Sequence, residues 1–149
     1  MELLIFAPCL KVVVDKEDNS LSLISILQEV QVGFPSGAPE SIPAGTSAPL
    51  GWYAFALWRR EESEAGKRFE QRVVLRSSAG ETLADATTEF QGDKLQHRVS
   101  LRFVGFPVWA EGACSLHLYL REAGQAEWEE FPAFPLEIKH VLSETKTTP

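Results

Sequence analysis

Between Lys94 and Glu122 the chain alternates apolar and polar residues over two consecutive runs, and a period of two at that length leaves little except β-structure open to it. Val99, Leu101 and Phe103 alternate with Arg98, Ser100 and Arg102, and Cys114, Leu116, Leu118 and Leu120 alternate with Ser115, His117, Tyr119 and Arg121. The pattern predicts a β-hairpin with Phe103 beside Cys114, Leu101 beside Leu116, Val99 beside Leu118 and Arg98 beside Tyr119. A slip of one residue would turn the apolar row to solvent, so the register is narrowly set. Phe106-Pro107-Val108-Trp109 would form the loop between the arms, held by apolar side chains, with Gly112 returning the chain to strand geometry and Trp109 partly exposed. A ribbon apolar on one face needs a second layer over it. The expected fold is therefore an all-β, antiparallel two-layer sandwich of about eight strands with almost no helix. Its core would hold Val99, Leu101, Phe103, Leu116, Leu118, Leu120, Leu136 and Ile138.

At 149 residues the chain is one ordinary domain, read as spanning residues 1–142 with a flexible polar tail over 143–149. Its net charge of -7 repels phosphate backbones, and no Lys/Arg run offsets it, which argues against nucleic acid and anionic membranes as partners. Cys9 and Cys114, the only cysteines, sit inside apolar strand patterns and read as small buried hydrophobes of a reducing compartment. The opening MELLIFAPCL has Glu2 where a signal peptide would be basic, and Pro8 breaks a short apolar run. It reads as the first strand of a cytoplasmic protein.

Leu3–Val14 and Leu21–Val32 are apolar runs around the polar turn Asp15-Lys16-Glu17-Asp18-Asn19-Ser20, two strands that alternate poorly. Both are expected to be covered on two sides or to change layers, with Pro8 marking the crossing or bulge. Gly33–Pro49 carries four prolines and three glycines and reads as a long loop pinned by Phe34 and Ile42, draped over the sandwich end or functional in its own right. Trp52–Arg60 should be a central strand. Phe69–Arg76 and Thr82–Phe90 form a hairpin around Ser78-Ala79-Gly80, with Leu75 opposite Ala84 and Val73 opposite Ala86, a register that leaves Leu83 outward and Glu70 facing Glu89. Trp128–Val141, interrupted by Pro132 and Pro135, reads as an edge or bulged strand.

The opening pattern resembles a family of short uncharacterised bacterial proteins: a small residue and Cys9 in the first strand, Asp15 and Asn19 in the turn, then LSLISIL and Val30. In that family an acidic residue follows the cysteine and a glycine lies in the second strand, where this chain has Leu10 and Ser25. The resemblance implies a small bacterial β-sandwich and transfers no catalytic residues.

For chemistry, His97 points with the core row and His117 outward, so a shared histidine site is not expected. The Asp15, Glu17, Asp18, Asn19 turn offers oxygen ligands but lacks EF-hand spacing and reads more plainly as a solvated turn. Glu61, Glu62, Glu64 and Glu127, Glu129, Glu130 could supply a carboxylate pair for glycoside hydrolysis, yet no apolar pocket is evident to raise one of them. No serine elbow, phosphate loop or Cys/His dyad is present. The expectation is a non-enzymatic protein-interaction module without cofactor or metal, binding a protein partner or a second copy; the alternative is a small-ligand or carbohydrate binder stacking on tryptophan. The candidate binding residues are Arg98, Arg102, His117, Tyr119 and Arg121, expected on one basic surface of an acidic protein, together with Trp109.

Overall fold

The computed structural model describes residues 1–35 and 42–143. Its strands are β1 (Glu2–Val14), β2 (Leu21–Ile26), β3 (Glu29–Pro35), β4 (Ser47–Ala48), β5 (Trp52–Arg59), β6 (Arg68–Ser77), β7 (Thr82–Gln91), β8 (Gln96–Phe103), β9 (Phe106–Pro107), β10 (Gly112–Glu122) and β11 (Glu129–Ser143). Glu62–Glu64 forms a single 3-10 turn, and the protein is all-β. The strands number eleven among the described residues rather than eight, the increase coming from the two-residue β4–β9 pair and from the splitting of one expected strand. No helix among them is long and apolar enough to cross a membrane.

A four-stranded sheet, ordered β2-β1-β5-β8, is antiparallel throughout; a five-stranded sheet, ordered β3-β11-β10-β6-β7, is mixed because β3 runs parallel to β11. The expected hairpin of residues 95–122 does not form. β8 pairs with β5, setting Val99 opposite Ala56 and Leu101 opposite Ala54. β10 lies in the other sheet between β6 and β11, with Leu116 opposite Leu75 and Leu118 opposite Val73. Alternation specifies which face of a strand is buried and leaves its neighbour open. The eight residues from 104 to 111 carry β9 and serve as a crossover between sheets instead of a tight turn, for which they lack the sequence.

The run Leu21–Val32 does change sheets, at Leu27 and Gln28, beside Pro8 of β1. Leu27 is buried and donates its N–H to the Pro8 carbonyl at 2.9 Å, after which β3 joins β11. The bulge in β1 falls between Leu3 and Ile5. Gly33, Phe34 and Pro35, expected in a loop, end β3; residues 36–41 of that loop lie outside the described residues, and Ile42 is half-buried. β5 is central, as expected. β11 is bulged where His117 faces Pro132 and Ala133, but it is an edge only in part: its first half pairs with β10 alone, and Glu137–Ser143 also pairs with β3. Both prolines thus sit where one side of the ladder is open and a missing donor costs least. Ser143, expected in the tail, ends β11, and residues 144–149 lie outside the described residues.

Both sheets bury side chains in one cluster that includes Trp52, Trp58, Leu75, Leu116, Leu118 and Ile138. Of the expected core, Leu101 and Phe103 are only half-buried and pack at its margin, Phe103 stacking on Trp52 at 4.3 Å. The β6–β7 register is the expected one, Leu75 opposite Ala84 and Glu70 opposite Glu89. Leu83 is nevertheless buried in the cluster, because the register shifts between Leu75 and Arg76 and the extra residue turns inward.

Candidate functional site

Directly opposed residues in a sheet share a face, so the outer face of the four-stranded sheet can be written as rows. One runs Ile26, Cys9, Tyr53, Arg102; the next Ala7, Phe55, Ser100; the next Ile5, Leu57, Arg98; the last Glu2, Arg59, Gln96. Ile24 faces Lys11 and Val13 faces Ser22 beyond the first. Each long row passes from apolar residues near β1 to polar or basic ones on β8. Ile5, Val13, Ile24 and Ile26 are between 40% and 47% exposed, while Ala7, Cys9 and Phe55 are buried without belonging to the central cluster.

The sheet is curled about this face. β2 and β8 are its two edges, about 14 Å apart if flat. Yet Arg98 on β8 donates to the carbonyl of Asn19, in the turn before β2, at 2.7 Å and to Asn19 Oδ1 at 3.2 Å. Asn19 and Ser25 hold left-handed backbone, φ 59 and 56, the second inside β2 between Ile24 and Ile26. Such kinks are how a sheet bends sharply. The concave side of the curl is the hollow, within which Ala7, Cys9 and Phe55 are closed off from solvent.

The six candidate binding residues are not brought together. Arg98 and Arg102 are exposed on this outer face, where Arg98 meets Asn19 rather than Tyr119. His117, Tyr119 and Arg121 are half-buried on the outer face of the five-stranded sheet. There Arg121 donates to Glu70 at 2.5 Å and lies 4.1 Å over the Trp128 ring, and His117 Nδ1 is 3.5 Å from Glu130. Next to Tyr119, Arg72 grips Asp85 with two hydrogen bonds, which hold the Asp85 carboxyl below its usual range. On that face Arg72 and Arg121 are each paired with a carboxylate, while Arg76 bonds Thr82 and His117 Nδ1 is buried without a hydrogen-bond partner. Trp109 is half-buried and donates to Glu81 at 3.1 Å. The expected single basic surface therefore divides between two sheets, because it depended on the hairpin pairing.

Other groups are placed apart or are already engaged. His97 sits against the Lys94 backbone, and His140 Nε2 is 2.6 Å from the Val108 carbonyl. Asp15 Oδ1 accepts the Glu17 N–H at 2.8 Å and Asp18 Oδ1 the Ser20 N–H at 2.9 Å, so both carboxylates close their own turn. Among the described residues no three His, Cys, Asp or Glu are grouped to hold a metal. Burial raises the Cys9 thiol above its ordinary value and pushes Cys114 up to about 11.

Sequence reasoning missed Ile5, Lys11, Ile24, Ile26 and Arg59 as members of one face. The signal was the poor alternation of the first two runs, which two-sided burial or a change of layer would also produce; part of it is an apolar outer face. No protein-family model matches the chain, and no curated protein matches it.

Proposed function

We propose that the protein is a non-enzymatic protein-interaction module, a β-sandwich with the four- and five-stranded sheets as its layers, which binds an acidic protein surface in the hollow of the four-stranded sheet. The observation that carries this reading is the composition of that face: four exposed branched aliphatic side chains beside Lys11, Arg59, Arg98 and Arg102, with Glu2 the one carboxylate in the rows, on a chain of net charge -7. An apolar centre supplies affinity through area removed from water, and the basic side steers and orients an acidic partner. The tryptophan-stacking alternative has less support. Trp52 and Trp58 are fully buried, Trp128 lies under Arg121, and Trp109 is tied to Glu81.

The test is co-purification from the native host with the wild-type chain and with the double variant Ile26→Asn, Arg102→Glu, followed by binding isotherms with the protein recovered. Arg102 is exposed and has no ion pair among the described residues, so the fold survives its reversal. The expected result is a partner whose affinity falls with salt and drops roughly tenfold or more in the variant. Equal capture by both chains, or capture of nothing by the wild type, refutes the proposal.

A further inference from the structure

A cleft of about 350 Å³ opens where the β7–β8 connection meets the turn between β1 and β2, lined by Asn19, Asp93, Lys94, Gln96, His97 and Arg98. Its volume lies within the range of small-molecule sites. Lys94 and Arg98 are among seven lysines and arginines without a carboxylate partner among the described residues; the other six, Arg59, Lys67, Arg68, Arg72, Arg121 and Lys139, have one. Two unpaired cations meeting in one recess of an acidic chain is an arrangement in want of an anion.

The recess is also held in shape. The Lys94 carbonyl accepts from Arg60 Nε at 2.8 Å and lies 2.8 Å from His97 Nε2, which clamps the connection from two sides. The His97 ring is nearly buried and packs against Phe90 at 5.5 Å, leaving Nδ1 turned toward Asp93 Oδ1 at 3.8 Å. Arg98 spends its NH1 and NH2 groups partly on Asn19, which fixes the guanidinium while leaving further N–H donors free. The amides of Gln96 and Asn19 add neutral donors, and Asp93 is the one opposing carboxylate on the wall. Donors fixed before a ligand arrives lose little entropy when it binds.

We propose that this cleft binds the oxyanion group of a small molecule, a phosphate or a carboxylate, with Lys94 and Arg98 as its charged ligands. The site adjoins the apolar hollow and shares Arg98 and Gln96 with its outer-face rows, but its ligands act without a protein partner.

The experiment is an amide NMR titration of the whole chain at constant ionic strength and pH 7, one arm with inorganic phosphate and one with succinate, repeated on Lys94→Ala. Only main-chain atoms of Lys94 make structural hydrogen bonds, so this variant keeps the fold. Saturable shifts confined to Lys94, Gln96, His97, Arg98 and Asn19 are expected, with binding weakened roughly tenfold or more in the variant. Saturation by phosphate alone assigns a phosphorylated ligand, and by succinate alone or by both, a carboxylate-bearing one. No saturable shift in either arm up to about 20 mM, or shifts undiminished by Lys94→Ala, overturns the proposal.

Discussion

Replacing Ser25 with glycine should stabilise this protein, although glycine inside a strand ordinarily weakens it. Ser25 holds φ 56 within β2, between the ladder pairs Lys11–Ile24 and Cys9–Ile26. A residue with a Cβ pays about 1–2 kcal/mol in left-handed backbone. Glycine removes that strain but brings about 0.5–1 kcal/mol of extra unfolded-state entropy. The difference leaves Ser25→Gly more stable by about 0.5 kcal/mol. Ser25→Val, which adds β-branching at a conformation such residues avoid, should be less stable than wild type by about 1–2 kcal/mol. Ser25→Ala is the control and should match serine, since Ser25 is exposed and no side-chain hydrogen bond anchors it among the described residues. Urea unfolding followed by tryptophan fluorescence reads the series, Trp52 and Trp58 being fully buried reporters. With a slope of about 1–3 kcal/mol per molar, the glycine variant should unfold at a urea midpoint higher by about 0.2–0.5 M. A glycine variant less stable than wild type together with a valine variant equal to it would refute the kinked β2, and with it the curl that forms the hollow.

Asp85→Asn should lower stability at pH 7 by about 0.2–1 kcal/mol, since the Arg72 pair is near the surface. Its hydrogen bonds to Arg72 depress the folded-state value, so its contribution is present above the unfolded value of about 3.9 and is lost as pH falls through the lower folded one. Unfolding curves of the two chains should therefore converge on acidification, and a gap that widens would contradict the pairing. Cys114, pushed up to about 11, and Cys9, also raised, should resist a disulfide reagent near pH 8 until urea is added; rapid labelling of both thiols in the native protein would show the strands open.

How far the chain could be read in advance depended on whether a feature is local. The β6–β7 register was legible because two runs, a three-residue turn and one glycine settle it together, and Gly80 takes the expected positive φ of 83. The β8–β10 pairing was not, since each strand's alternation is equally satisfied by any apolar neighbour. What decided it was fit: the small Ala54 and Ala56 of β5 leave room beside Leu101 and Val99, while Leu75 and Val73 of β6 flank Leu116 and Leu118. The candidate site inherited that error, because its membership was a statement about pairing. Arg98 and Arg102 were placed on a solvent face correctly; their company was not.

Arg121 shows how a third strand can reverse the sense of a two-strand pattern. Within β6 and β7 alone, Glu70 opposite Glu89 is a like-charge pair and a mark against the register. The structure keeps the register and resolves the charge from elsewhere: Arg121 of β10 reaches Glu70, and Arg68 pairs with Glu89. An arginine that reads from its own strand as an exposed anchor for a partner is then half-buried, bonded to a carboxylate and stacked on Trp128. Arg102 has none of these ties among the described residues and stands beside Tyr53 at the basic end of an apolar row. Charge left uncompensated by the protein's own neighbours is what the proposed partner would meet, and Arg102 on the four-stranded sheet has it.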